Sequence, residues 1–453
     1  MEGKYQAYPE YRDSGVEWLG NVPSHWSSQQ LKHLCTYNDE VLGESVNSEY
    51  ELEYVDIGSV SASGGIKATE IMTFGKAPSR ARRVVRDGDV IVSTVRTYLE
   101  AIAPIDNPPS NLVVSTGFAV VRPNKFLHKG YASYCLRTSG FIKEVVARSV
   151  GVSYPAINAT DLVNIKAPTP AFDEQQTIAN FLDHETARID TLIEKQQQLI
   201  KLLKEKRQAV ISHAITKGLS PNVPMRDSGV EWLGEVPEHW VVKRLKHVSP
   251  KVGVGLVINP STYTRDEGVY FIFGGDVKEY KFDLSKTRRI APKDSDGLLP
   301  SRLNHRDLVS VRVGYPGITA VVTEELEGAN CASVIVIRRG KYNSDWLCAA
   351  MNVWVGRQQV DLVSYGAAQK QFNVADAVEF IFPVPPENEQ DEIATFVEDT
   401  LNCFNTLSEK TDKQIKLLKE RRTALISAAV TGKIDVRNWQ APQQKQNKRE
   451  AAA

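Results

Sequence analysis

With 453 residues and 42% hydrophobic content, the chain can bury cores for two or three domains. Lysine plus arginine equals aspartate plus glutamate at 55 each, so any electrostatic case for a nucleic-acid partner must be local rather than global. No run approaches the roughly 18 apolar residues of a membrane span, and MEGKYQAYPEYRDSG lacks the apolar core of a signal peptide; a soluble, cytoplasmic protein without a membrane partner is expected.

The first element is a box, RDSGVEWLGNVPSHWSSQQLKH, at residues 12–33. It returns as RDSGVEWLGEVPEHWVVKRLKH at 226–247, an offset of 214, with 16 of 22 positions identical. Trp18, Pro23 and Trp26 match Trp232, Pro237 and Trp240, a pattern suited to aromatic anchors that pin a segment onto a domain. His25 and His33, with their copies His239 and His247, lack a third ligand at metal-binding spacing, so packing is the better account. Cys35, Cys135, Cys331, Cys348 and Cys403 are scattered without CxxC spacing, which indicates neither a disulfide framework nor a zinc knuckle.

After the box comes an insert of about 140 residues, 34–173, whose counterpart at 248–388 is much less alike than the boxes are. Short β-branched or aromatic runs bounded by turn residues predict strands at 54–57, 89–93 and 113–121, then at 270–273, 307–313 and 333–337. Helical patterns follow at 131–147 and 346–362, so each insert reads as a small mixed α/β domain. Asn107, Pro108, Pro109 and Ser110 imitate the loop with which amino-methyltransferases hold a flipped base, but serine stands where an aromatic ring would stack. No P-loop, nucleophile elbow or carboxylate cluster with lysine accompanies it, and no active site is expected.

The inserts do carry local cations. Lys76, Arg80, Arg82, Arg83, Arg86 and Arg96 precede Tyr98, while Lys286, Arg288, Arg289, Lys293, Arg302, Arg306 and Arg312 precede Tyr315. Arginine binds phosphate or pairs bidentately with guanine, and amide side chains do the same with adenine. Both sets lie beside a Gly-rich polar loop, GVSYPAIN with Ser153 and Tyr154, or GAAQKQFN with Gln369, Lys370 and Gln371. For any single residue, solvated surface charge is the ordinary reading; the repetition favours DNA contact by the region.

Each insert leads into a long helix, 174–218 and 389–433, at an offset of 215 and with IKLLKE identical in both. Neither copy contains proline and glycine appears only near the end, so each can run about 65 Å at 1.5 Å per residue. Ile189, Leu192, Gln196, Leu199, Leu203, Lys206 and Val210 mark a heptad seam, matched by Phe404, Leu407, Thr411, Gln414, Leu418, Arg421 and Leu425, and Ile200, Leu202, Leu203 and their copies widen the stripe. The two helices are expected to be each other's partner, with polar Gln196 and Thr411 setting register. The expected divisions are 1–173, 174–218, 219–388, 389–433 and a disordered polar tail at 434–453.

The order of box, insert and helix, twice over, resembles the specificity subunit of type I restriction-modification systems. The tryptophan boxes, the GDV and RDL strands at 88–90 and 306–308, the two polar loops and the LLKEKR and LLKERR helices carry the likeness across almost the whole chain. It implies two small α/β target-recognition domains joined by two long antiparallel coiled-coil helices, an internal tandem repeat with pseudo-twofold symmetry. It implies a non-catalytic chain whose partners are double-stranded DNA with a split, asymmetric site, two modification subunits and restriction subunits. No cofactor is implied here: S-adenosylmethionine for adenine N6 methylation belongs to the modification subunits, ATP and Mg2+ to the restriction subunits. Arg80, Arg82, Arg83, Arg96, Tyr98, Ser153, Tyr154, Arg302, Arg306, Arg312, Tyr315, Gln369, Lys370 and Gln371 become the expected DNA contacts. One departure, Arg306 where the first module has Gly88, suggests that the turn there differs. A tandem scaffold that binds proteins and uses the helices only as a spacer is the competing reading.

Overall fold

The computed structural model describes residues 5–61, 65–257, 260–366 and 369–441. It divides into two compact units, one of residues up to Gln196 with those from Lys413 onward, the other Gln197–Asp412.

In the first unit the insert forms two four-stranded sheets. Strands β1 (Cys35–Tyr37), β2 (Glu51–Val55), β3 (Glu70–Thr73), β4 (Ala81–Val84), β5 (Val90–Ser93), β6 (Ile102–Pro104), β7 (Leu112–Ser115) and β8 (Phe118–Pro123) are distributed in the orders β3-β2-β7-β4 and β1-β8-β5-β6. Only the β2–β7 pairing is parallel. The run expected as one strand at 113–121 is two, because the chain crosses from one sheet to the other at Thr116 and Gly117. One face of β5 and β8 gives Val90, Val92, Ala119 and Val121 to a core shared with the box and the long helix, while the other gives Ile91, Phe118 and Val120 to a core inside the insert. Helices α1 (Lys129–Cys135) and α2 (Ser139–Ala147) replace the single helix expected at 131–147. They break because the Thr138 hydroxyl caps α2, accepting the Phe141 N–H. The long helix α3 runs Phe172–Lys217 for 46 residues.

The second unit repeats the plan. Strands β9 (Val252–Val254), β10 (Thr264–Arg265), β11 (Val269–Ile272), β12 (Arg288–Ile290), β13 (Leu308–Val311), β14 (Thr319–Val321), β15 (Asn330–Cys331) and β16 (Val334–Ile337) form sheets β10-β12-β11-β15 and β9-β16-β13-β14, again with one parallel pairing, β11–β15. Helices α4 (Ser344–Asn352) and α5 (Trp354–Val363) precede α6 (Glu387–Val430), of 44 residues. The turn at Arg306 does not depart from that at Gly88: both residues have positive φ, +73° and +86°, and each donates its N–H to the carbonyl of the residue just after a strand, Val322 after β14 and Ile105 after β6.

Within each unit the N-terminal half of one long helix packs beside the C-terminal half of the other, which makes the packing antiparallel. The seam is not quite the expected one. Ile189, Gln196, Leu203, Val210 and, on the widened stripe, Ile200 are buried or half-buried as expected, but Leu192, Leu199, Leu202 and Lys206 face solvent and Ile193 and Arg207 turn inward. The same one-residue shift replaces Leu407 and Arg421 by Ser408 and Arg422, and Ile415, the copy of Ile200, is buried where Gln414 is exposed. Ion pairs account for the arginines: Arg422 Nε lies 2.9 Å from Asp190, and Arg207 3.0 Å from Glu279.

The tail expected from 434 begins as packed chain. Ile434 and Val436 are buried, the Asp435 N–H donates to the Gln6 carbonyl at 2.7 Å, and the Trp439 ring meets Phe181 edge-on at 5.7 Å. The rest of that expectation, residues 442–453, lies outside the described residues. Among the described residues no helix is long and apolar enough to cross a membrane.

Candidate nucleic-acid interface

Two short strands close each insert onto its box. Ser27–Gln30 pairs antiparallel with Lys166–Thr169, and Val241–Arg244 with Ile381–Val384, so the end of each insert is delivered to the box just before the long helix starts. The first helical turn locks that junction. Glu174 accepts the Trp26 indole N–H at 3.1 Å and the Tyr8 hydroxyl at 2.8 Å, with His25 Nε2 at 3.0 Å; Glu389 accepts the Trp240 indole at 2.9 Å, with His239 at 2.5 Å. Burial and the Glu174 carboxylate both hold the Tyr8 hydroxyl above its ordinary pKa, keeping it a donor. The next residue caps: Gln175 accepts the His128 N–H and donates to the Phe126 and Pro170 carbonyls, and Gln390 does the same for Asn343 and Pro385. The acids of the GDV and RDL strands are structural too. Asp89 is 1% exposed and takes a two-pronged contact from Arg122 at 2.8 and 2.9 Å, while Asp307, equally buried, meets Arg338 at 2.6 Å.

With the frame fixed, two loops meet at one end of the first insert. The Thr94 carbonyl accepts the Ile157 N–H at 2.9 Å, the Thr97 N–H donates to Pro155 at 3.3 Å, and the Thr97 and Ser149 hydroxyls are 2.8 Å apart. Val150 and Ala156 pair as a short antiparallel bridge, so residues 151–155 form the tip of a hairpin. Gly151 holds φ +112° with the Tyr154 carbonyl 3.2 Å from where a Cβ would stand, which is why glycine occupies that turn. Arg96, itself left-handed at φ +51°, lays its guanidinium over the Tyr154 ring at 5.0 Å. Arg96, Tyr98, Ser153 and Tyr154 are therefore neighbours on an exposed surface, and Tyr98 and Tyr154 are 54% and 66% exposed.

The second insert builds the same loop pair from other residues. Tyr365 and Gln371 bridge as Val150 and Ala156 do, Val313 bridges to Gln371, and the Gly314 N–H donates to the Lys370 carbonyl at 3.0 Å. Gly366, at φ +105°, stands where Gly151 stands. Arg312 Nε donates to the Phe372 carbonyl at 3.3 Å, which fixes its stem while the side chain stays partly exposed. Tyr315 is 78% exposed, Gln369 and Lys370 are exposed, and Gln371 is half-buried.

The remaining expected contacts lie elsewhere in the inserts. Arg80 is held by Asp56 at 3.0 Å and by the Tyr54 hydroxyl, Arg302 by Asp296 at 2.5 Å and Ser295, and Arg306 by Asp345. Arg82 lies over the Phe74 ring at 4.4 Å, and Arg83 is half-buried with its pKa lowered by burial. None of these joins the loop pairs. The proline-rich stretch is a turn, with the Asn107 N–H on Asp87 at 2.9 Å. Among the described residues, no three His, Cys, Asp or Glu side chains gather to hold a metal. Burial pushes the thiols of Cys35, Cys135 and Cys331 up to about 12, so they are not poised as nucleophiles. Sequence reasoning missed Glu174, Glu389 and the paired Asp89–Arg122 and Asp307–Arg338; the EQ dipeptide after each P.P was the available signal.

Residues 23–202 match the family model described as "Type I restriction modification DNA specificity domain". The chain is similar to the type I restriction enzyme StySPI specificity subunit of Salmonella potsdam, 25% identical over 93% of this chain and 92% of that one. Its fold is similar to a chain solved in work titled "Structural basis underlying complex assembly and conformational transition of the type I R-M system", at TM-score 0.72 and 22% identity, covering 91% of this chain and 99% of that one. It is also similar to the HsdS subunit of Thermoanaerobacter tengcongensis, at TM-score 0.54 and 22% identity, covering 91% and 98%.

Proposed function

We propose that the chain is a specificity subunit of a type I restriction-modification system, the non-catalytic DNA reader of such a complex, with one recognition surface in each module. The observation that carries this reading is the loop pair built twice, at 94–98 with 149–157 and at 312–315 with 365–372, on the same hydrogen-bonded plan but with different side chains. A shared frame with altered tips is what reading two different half-sites requires.

Arg96, Tyr98, Ser153 and Tyr154 would contact one half-site, and Arg312, Tyr315, Gln369, Lys370 and Gln371 the other. Arg80, Arg302 and Arg306, each paired with an aspartate, would support the inserts, and Arg82 and Arg83 would supply positive potential. The recognition domains are the segments before α3 and α6, and the helices act as spacer and as docking surface for two modification subunits. Those subunits would bring S-adenosylmethionine and the methylation chemistry, and restriction subunits ATP and Mg2+. A fixed spacer sets half-site separation, and about one helical turn of DNA, 34 Å, keeps both readers on one face of the duplex.

The test is to co-express the chain with a modification subunit and map N6-methyladenine across the host genome. A bipartite motif with a constant gap, absent without this chain, is the expected result. Methylation that persists in its absence, or no complex, would return the chain to a protein-binding scaffold.

A further inference from the structure

The two loops closed by the matching bridges differ in sequence in a way that the bridges do not require. In the first, Val152 is fully exposed and Val150 is 81% exposed. Val152 at the tip and Val150 at its base, two positions apart, gain little burial from folding and together offer a small apolar contact on an otherwise polar loop. The bridge from Val150 to Ala156 holds the tip in register, and the stacking of Arg96 on Tyr154 fixes the planar pair beside it. Aligning the hairpins by their bridges puts Tyr365 of the second module at the place of Val150, Gln369 at that of Tyr154, Lys370 at that of Pro155 and Gln371 at that of Ala156. In sequence, the first loop carries two valines where the second has Tyr365 and Ala367, and the second adds the amide and ammonium groups of Gln369, Lys370 and Gln371.

We infer that the first module reads its half-site in part through the 5-methyl group of thymine, gripped by Val150 and Val152, whereas the second reads by hydrogen bonds from Gln369, Lys370 and Gln371. The inference rests on the proposed DNA reading and deepens it. Thymine is the one unmodified base that presents a methyl group in the major groove, and apolar side chains are its complement. Valine cannot hydrogen-bond a base edge, so these two side chains discriminate by the methyl group alone, beside whatever Arg96, Ser153 and Tyr154 read. A cytosine methylated at carbon 5 presents the same group, and the test separates the two sources.

The experiment uses the full chain, purified alone or with co-expressed modification subunits, and a target selected from random duplexes. Each thymine of the selected site is replaced in turn by deoxyuridine, which removes only the methyl group, and each cytosine by 5-methylcytosine. At one or two thymines of the first half-site, affinity should fall about four-fold, the worth of one buried methyl group, with no such loss in the second. The Val150→Ala/Val152→Ala variant, altered only at exposed positions, should bind thymine and deoxyuridine sites alike. Insensitivity to deoxyuridine throughout the first half-site, or a penalty undiminished in the variant, overturns the inference. Sensitivity to 5-methylcytosine alone assigns the tip to modified cytosine and overturns thymine as the source. A variant that keeps its DNA preference but loses the modification subunits makes the tip a protein contact. A wild-type chain that selects no sequence sinks the DNA reading, and this inference with it.

Discussion

At the scale of single residues, the strongest constraints belong to groups that hold the frame rather than to those that face solvent. Glu174 accepts from Trp26 and Tyr8, and both donors are buried. Glu174→Ala leaves an indole N–H and a hydroxyl without an acceptor, so urea denaturation should show a loss of about 2–4 kcal/mol. Arg96 is the opposite case. Its left-handed backbone suits glycine better than arginine, and its exposed side chain lies over the Tyr154 ring. Arg96→Gly should therefore leave stability unchanged or slightly raised while weakening binding to the cognate duplex by about ten-fold or more; equal losses in melting temperature and affinity would contradict that division of roles. Clustering of arginines was legible in the sequence, but which of them are committed was not, because Asp56 and Asp345 reach Arg80 and Arg306 only through the fold, and Asp296, six residues before Arg302, is one of several nearby acids. The histidines of the box could be seen to lack a third metal ligand, whereas their carboxylate partner lay about 150 positions away in sequence.

At the scale of elements, the long helices were legible from the absence of proline and from heptad spacing, and their seam was legible only in part. Leu192 and Ile193, or Leu199 and Ile200, satisfy adjacent heptads equally well, so apolar periodicity could not choose between them. The choice rests with charge: turning Arg207 and Arg422 inward brings them to Glu279 and Asp190. Ile415 is therefore 9% exposed and Leu407 41% exposed on the same helix. Ile415→Ala should cost about 2–3 kcal/mol and Leu407→Ala less than about 1 kcal/mol, measured by denaturant unfolding; the expected seam would reverse that order. The same limit explains the broken helix between α1 and α2. Apolar spacing runs smoothly from 131 to 147, but Thr138 offers its hydroxyl to the Phe141 N–H, and a local cap outcompetes continuation.

At the scale of the whole molecule, the tandem plan was written openly, because the boxes and helices repeat at nearly constant offset while the inserts diverge. The packed segment through Trp439 was not, since its anchors are three apolar residues in a polar run and their partners are at the other end of the chain or on α3. The cores explain why inserts can diverge within a fixed frame. Ile91, Phe118 and Val120 face a core contained within the first insert, together with Val55, Val85, Leu112 and Val114, and this core can change freely with the target. Val90, Val92, Ala119 and Val121 face the box and α3, and these must stay compatible with Trp26, Leu31 and Ile178. Replacing residues 34–173 by the insert of a related chain should therefore fold when those four positions remain small and apolar, and should change one half of the methylated motif while its gap and other half persist. A graft that is stable, holds the modification subunits and leaves the motif whole would contradict the assignment of reading to the inserts. A graft carrying a charge at position 92 or 119 should fail before recognition is tested, because it would bury that charge against the box and the long helix.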